Sequence, residues 1–205
     1  MYTDNNAGLL KFPFYKSETA SAGQRKRRFA MATEYTACFT GHRPEKLVSY
    51  GTDRLDAVSS VKKQLYQMIV QAVEQGYTHF YSGMARGVDL YAAQTVLYLK
   101  RQYPRLTLTG VIPFSGHHQD WSIAWQQCFQ VVLAQCDQVE TLSSQYFPGC
   151  YQQRNEYMVD RSELVIAVWN GRRSGTANTL QYARLTGKEI RCTRIDPAGG
   201  CPGRR

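Results

Sequence analysis

No apolar stretch reaches the roughly eighteen residues that a membrane-crossing helix needs, so no transmembrane segment is expected. The first residues, MYTDNNAGLLKFPFYKSE, lack a basic start followed by a long apolar segment, which argues against a signal peptide. The six cysteines (Cys38, Cys128, Cys136, Cys150, Cys192 and Cys201) include no CxxC pair, which argues against structural zinc and suits a reducing cytoplasm. GxxxxGK[ST] is missing, which excludes a P-loop NTPase. GxGxxG does not follow the first strand-like run, which weakens a standard NAD-dehydrogenase reading. No GxSxG elbow occurs. His117 and His118 are adjacent, but no other His, Cys or carboxylate stands at a ligand spacing, so no metal is expected.

What is present begins with charge. The net charge is +9, yet residues 1–30 hold six basic against two acidic side chains, and residues 191–205 four against one. The excess therefore sits mainly at the ends and is a weak argument for a nucleic-acid-binding body. QRKRR (24–28) has no flanking apolar periodicity, which suits a solvated tail. The expected organisation is a basic tail at 1–32, one domain at 33–195 and a flexible tail at 196–205.

Strand-like and helix-like segments alternate through the body. YTACFTG (35–41), HFYSG (79–83), LTLTGVIPF (106–114), QVETLS (138–143), LVIAVW (164–169) and EIRCTRI (189–195) read as strands. Between them, apolar residues at spacings of three and four predict helices over 52–75 and 121–136, and 88–103, 151–162 and 175–187 also read as helices. Apolar rather than alternating strands imply a mainly parallel sheet covered on both faces. Right-handed crossovers then give an α/β, Rossmann-like three-layer sandwich.

Ligands in such sheets lie beyond the carboxyl ends of the strands, and the loops there carry the chemistry. GHRPEK follows the first strand, SGMARGVD the second, PFSGHHQDW the third and NGRRSGTAN the fifth. Two of them carry glycines four apart leading into a helix: Gly83 with Gly87, and Gly171 with Gly175. Glycine permits tight turns and close ligand approach, and the N–H groups of a following helix attract anions. Arg43, Arg86, Arg172 and Arg173 add cations whose planar forks suit phosphate. A phosphate-type site is expected on this edge. Trp121 and Trp125 read as core rather than as a base-stacking platform.

CFTGHRP (38–44), SGMARGVDLYAA (82–93), IPF (112–114), CYQQRNEYMVD (150–160) and WNGRRSGTANTLQYA (169–183) together resemble the YpsA-like branch of the SLOG superfamily, over about residues 35–195. That Rossmann-like superfamily, related to DprA and LOG proteins, implies a nucleotide or nucleotide-derived ligand. The resemblance carries onto Gly41, His42, Arg43 and Pro44 in the first loop, and onto Ser82, Gly83, Arg86, Gly87 and Asp89 in the second. It extends to Pro113, to Arg154, Asn155 and Asp160, and to Asn170, Gly171, Ser174, Gly175 and Thr176. LOG enzymes follow their Gly-Thr with a catalytic glutamate, whereas Ala177 to Gln181 hold no carboxylate here, which puts hydrolase activity in doubt.

Arg43 is expected to pair with phosphate, and His42 to contact phosphate or ribose. Asp89 is expected to bind a ribose hydroxyl or cap loop N–H groups. The expected function is cytoplasmic binding of a phosphate-bearing small molecule, NAD- or ADP-ribose-like, for sensing or regulation. One alternative is hydrolysis of such a ligand, with His42, Asp89 and Asp160 as catalytic candidates. A second is DprA-like binding of single-stranded DNA, ranked below a small molecule. A homo-oligomer is left open.

Overall fold

The apolar runs form β1 (Tyr35–Gly41), β2 (Tyr77–Ser82), β3 (Thr107–Ile112), β4 (Gln138–Thr141), β5 (Leu164–Trp169) and β6 (Glu189–Arg194). All five pairings are parallel, in the order β4-β3-β2-β1-β5-β6. Between the strands lie α1 (Arg54–Glu74), α2 (Val88–Leu99), α3 (Ile123–Leu133), α4 (Cys150–Asp160) and α5 (Gly175–Leu185). The computed structural model describes residues 35–47 and 54–195, and both expected tails lie outside them.

Two cores explain why the central strands are apolar throughout. Phe39, Phe80, Leu108 and Ile166 face one side, against Leu65 and Ile69 of α1, Val96 of α2 and Phe129 of α3. Cys38, Val111, Val165 and Ala167 face the other, against Met158 and Val159 of α4 and Leu180 and Ala183 of α5. Successive residues of one strand thus serve opposite cores, as the two-residue period of a pleated strand requires. Phe39 and Phe80 stack across β1 and β2 with centroids 5.8 Å apart. Each contributes about 1.5–3 kcal/mol by leaving water.

The element boundaries depart from the periodicity in ways that matter for the site. α2 ends at Leu99 rather than Tyr103, and the chain leaves it through turns over residues 100–103 before Pro104. α3 starts at Ile123, which leaves Trp121 in the β3–α3 loop, partly buried against the first core. Pro44 opens a single 3-10 turn over Pro44–Lys46, where its fixed φ suits the first helical position. Among the described residues no helix is long and apolar enough to cross a membrane.

Candidate functional site

β1 and β5 are neighbours where the strand order reverses, and their carboxyl ends open the crevice in which such sheets take ligands. His42 leaves β1 there and is only 3% exposed. Its Nε2 accepts a 3.1 Å hydrogen bond from the Asn170 backbone N–H, beyond β5. That bond assigns the neutral ring's proton to Nδ1 and ties the two loops across the reversal. Burial holds the His42 pKa below its usual value, with Asn170 opposing. The His42 carbonyl accepts from Val88 N–H at 3.3 Å, which draws the start of α2 against the β1 loop. Gly41 and Gly87 make this approach feasible: a Cβ on Gly41 would lie 2.5 Å from Val88, and one on Gly87 2.6 Å from the His42 carbonyl.

The β2–α2 loop is braced from within. Ser82 Oγ donates to the Asp89 carbonyl at 3.0 Å and accepts from Met84 N–H at 3.2 Å. Met84 sits at φ 55, the sole positive φ among the described non-glycine residues, and is fully buried. Such a conformation costs about 1–3 kcal/mol and needs surrounding packing to hold it. Gly83 has a reason the sequence did not show. A Cβ there would meet Arg154 Nη1 at 2.2 Å and Asp89 Oδ2 at 2.6 Å, so the space the glycine leaves is filled by the protein's own guanidinium.

Arg154, on α4, is a buried pillar. It donates to the Gly83 carbonyl and, through Nε, to Asn155 Oδ1 at 2.9 Å. Asn155 Nδ2 continues the chain to Thr179 Oγ1 on α5 at 2.9 Å. Arg154 Nη1 and Asp89 Oδ2 form an ion pair at 3.7 Å, with side chains 6% and 7% exposed. Asp89 Oδ2 also accepts from Ala85 N–H at 3.4 Å, capping the loop. Burial raises the Asp89 pKa against the pull of Arg154 and lowers that of Arg154 against the pull of Asp89. Both shifts show desolvation outweighing the pairing.

The rim is cationic and aromatic. Arg43 is exposed and makes no ion pair among the described residues; its Cζ lies 5.7 Å from the Tyr151 ring centroid. Glu45, the carboxylate nearest to it in sequence, pairs with Arg86 at 3.0 Å. Arg86 Cζ also lies over the Trp121 ring, 5.8 Å from its centroid. In the β5–α5 loop, Gly171 turns at φ +80 close to Arg194, and Asn170 Oδ1 accepts from Arg172 N–H at 3.1 Å. Ser174 caps α5, its Oγ accepting from Ala177 N–H at 3.2 Å. Gly175 is exposed, and a Cβ there would meet nothing within 4 Å. The first turn of α5 therefore opens to solvent at Gly175, on the same edge as Arg43, while Thr176 and, after β3, Pro113 are buried.

The fold thus brings together Gly41, His42, Arg43, Ser82, Gly83, Arg86, Gly87, Asp89, Arg154, Asn155 and the loop from Asn170 to Thr176. Asp160 stands apart. It closes α4, about 15 Å along the helix from Cys150, and accepts from Tyr182 Oη at 2.9 Å. Asp160 thus engages Tyr182 and, through its carbonyl, Lys188, rather than His42 or Asp89. Among the described residues no group of three or more His, Cys, Asp or Glu converges as a metal site. Sequence reasoning did not single out Met84, which braces the β2–α2 loop, or Tyr151, over which Arg43 lies. The β3–α3 loop also carries His117, which is buried, and nothing in the composition of that loop distinguishes a buried ring from a surface one.

Comparison with known proteins supplies the wider frame. The YpsA family model, described as the YspA SLOG family, matches residues 37–195. A UPF0398 protein of Bacillus cereus is 25% identical over 139 residues, covering 67% of this chain and 75% of that protein. An uncharacterized SPbeta prophage-derived protein of Bacillus subtilis, YoqJ, is 30% identical over 150 residues, covering 67% and 88%. Among solved structures, the chain is similar to DNA processing protein A of Helicobacter pylori, described for its single-stranded DNA binding mode. The TM-score is 0.54 and the identity 18%, over 80% of this chain and 69% of that one. DNA processing protein A of Streptococcus pneumoniae gives a TM-score of 0.50 at 16% identity, over 77% of this chain and 50% of that one.

Proposed function

The chain belongs to the YspA SLOG family, and from that premise we propose that it binds a nucleotide or nucleotide-derived small molecule, NAD- or ADP-ribose-like in chemistry. Its role is sensing or regulation in the cytoplasm. The observation that carries this reading is the exposed Arg43 at the β1/β5 reversal, on the edge where the first turn of α5 opens at Gly175. A guanidinium fork and free helical N–H groups together suit a phosphoryl group. Hydrolysis of the same ligand ranks second, since Ala177 to Gln181, after the Gly-Thr pair, hold no carboxylate. Calorimetric titration of the full chain with NAD, ADP-ribose and AMP, followed by chromatography for products, tests both readings. Absence of heat with all three would overturn the binding reading; cleaved products would promote the enzymatic one.

A nucleic-acid reading has one observation in its favour. The fold is similar to that of the Helicobacter pylori protein, which binds single-stranded DNA. Oligonucleotide binding by the full chain, followed across salt concentrations, checks it. Binding through the cleft predicts loss of affinity in Arg43→Ala. Binding through the basic ends predicts none.

A further inference from the structure

His117 is 6% exposed, and neither of its ring nitrogens has a hydrogen-bond partner. The Met84 carbonyl is close enough to favour a protonated ring, without meeting hydrogen-bond geometry. Phe114, Trp121 and Phe129 pack edge-on around the ring, with centroids 6.1, 5.2 and 5.2 Å away. These aromatics offer no lone pair or N–H suited to satisfying both nitrogens. A buried polar group left this way ordinarily costs about as much as a lost hydrogen bond, which makes His117 an outlier among the buried side chains.

The charges around it point to what would satisfy it. Arg154 from α4, Arg43 from the β1 loop and His118 from its own loop all act on His117, and all disfavour a positive ring. Arg43 and Arg154 also act on Asp89. Asp89 is paired with Arg154, whereas Arg43 makes no ion pair among the described residues. Phe114 links the two walls physically: its ring is 5.9 Å from Tyr151, over which Arg43 lies.

We propose that His117 is a ligand-contacting residue of the cleft, forming with Arg43 a subsite for a phosphoryl group, with Arg154 behind it. This assignment rests on the nucleotide reading above and goes beyond it by naming the group on the β3 side. The free ring is neutral near pH 7, because burial and the surrounding cations hold its pKa down to about 4. An anion at hydrogen-bond distance favours the protonated ring, so binding takes up a proton and affinity rises as pH falls from 8 towards 6.

ADP-ribose is the probe of choice, since its pyrophosphate diester does not titrate in that range. Titration of the full chain at pH 6.5, in two buffers of unequal ionisation enthalpy, measures the protons taken up. Wild type is expected to take up a fraction of a proton with ADP-ribose and none with adenosine. His117→Gln is expected to abolish the uptake, and His117→Phe to weaken binding about tenfold or more with the melting temperature held or raised. ADP-ribose binding with no uptake, uptake unchanged in His117→Gln, or equal uptake with adenosine would each overturn the subsite while leaving the nucleotide reading in place. Failure of wild type to bind NAD, ADP-ribose or AMP would overturn the nucleotide reading and this inference with it.

Discussion

Replacing Arg154 with methionine should strand Asp89, and the structure sets both the size of the effect and its dependence on pH. The pair is 3.7 Å apart with both side chains over nine-tenths buried, so removing the guanidinium leaves a carboxylate with one 3.4 Å hydrogen bond from Ala85. Breaking a buried pair in this way costs about 3–5 kcal/mol. The penalty on Asp89 has a ceiling, because the carboxyl can protonate instead of staying charged. From an ordinary value of 3.8, protonation costs about 4 kcal/mol at pH 7 and about 1.5 kcal/mol at pH 5. Loss of the donor to the Gly83 carbonyl adds about 1 kcal/mol at any pH. In the variant, folded Asp89 holds a proton that the unfolded chain has released at pH 7, so the deficit against wild type narrows as pH falls. Urea unfolding of wild type, Arg154→Met and Arg154→Met/Asp89→Asn at pH 7 and pH 5 reads this out. The single variant should lose about 3–5 kcal/mol at pH 7, and the double variant should recover part of it at pH 7 alone. A deficit below about 1 kcal/mol, or one that does not change with pH, would refute the placement of this pair as a buried pillar.

Arg43→Ala should weaken ADP-ribose binding by roughly ten- to a hundredfold, since a charge-assisted bond contributes about 1.5–3 kcal/mol. Arg43→Lys should recover only part of that, and unchanged calorimetric affinity in Arg43→Ala would remove it from the site. Gly175→Val should leave the fold intact, because its side chain meets open space, yet suppress the ADP-ribose-induced rise in melting temperature. A rise equal to wild type would make that loop a turn and nothing more. His117 carries a folded pKa of about 4 against an ordinary 6.5, so its contribution is present in full above pH 6.5 and lost as pH falls towards 4. That amounts to about 3 kcal/mol. His117→Phe should flatten the acid limb of a stability–pH curve from urea unfolding, and an unaltered limb would contradict the burial of a neutral ring.

Local periodicity determined a good deal. Apolar runs such as LVIAVW marked the strands, three-and-four spacing marked α1 and α3, and the alternation of strand-like and helix-like segments implied a parallel sheet with helices on both faces. Sequence also brought the loops carrying Arg43, Gly83, Pro113 and Gly175 to one edge, because every strand of a parallel sheet points the same way. It did not reveal which side chains meet on that edge. His42 and Asn170 are 128 positions apart, and Gly83 and Arg154 are 71 apart. Gly83 looked like a place for a ligand to approach, and Arg154 like a residue that touches one. Only the crossover that carries α4 back from the β4 edge brings that guanidinium into the space the glycine leaves. His117 shows the same limit. Its burial depends on Phe129, one turn and more into α3, and on the unwinding that keeps Trp121 out of that helix. Propensity and spacing act over a few residues, whereas burial and unpaired charge arise where loops distant in the chain converge, so the tertiary structure alone decided the chemistry of the cleft.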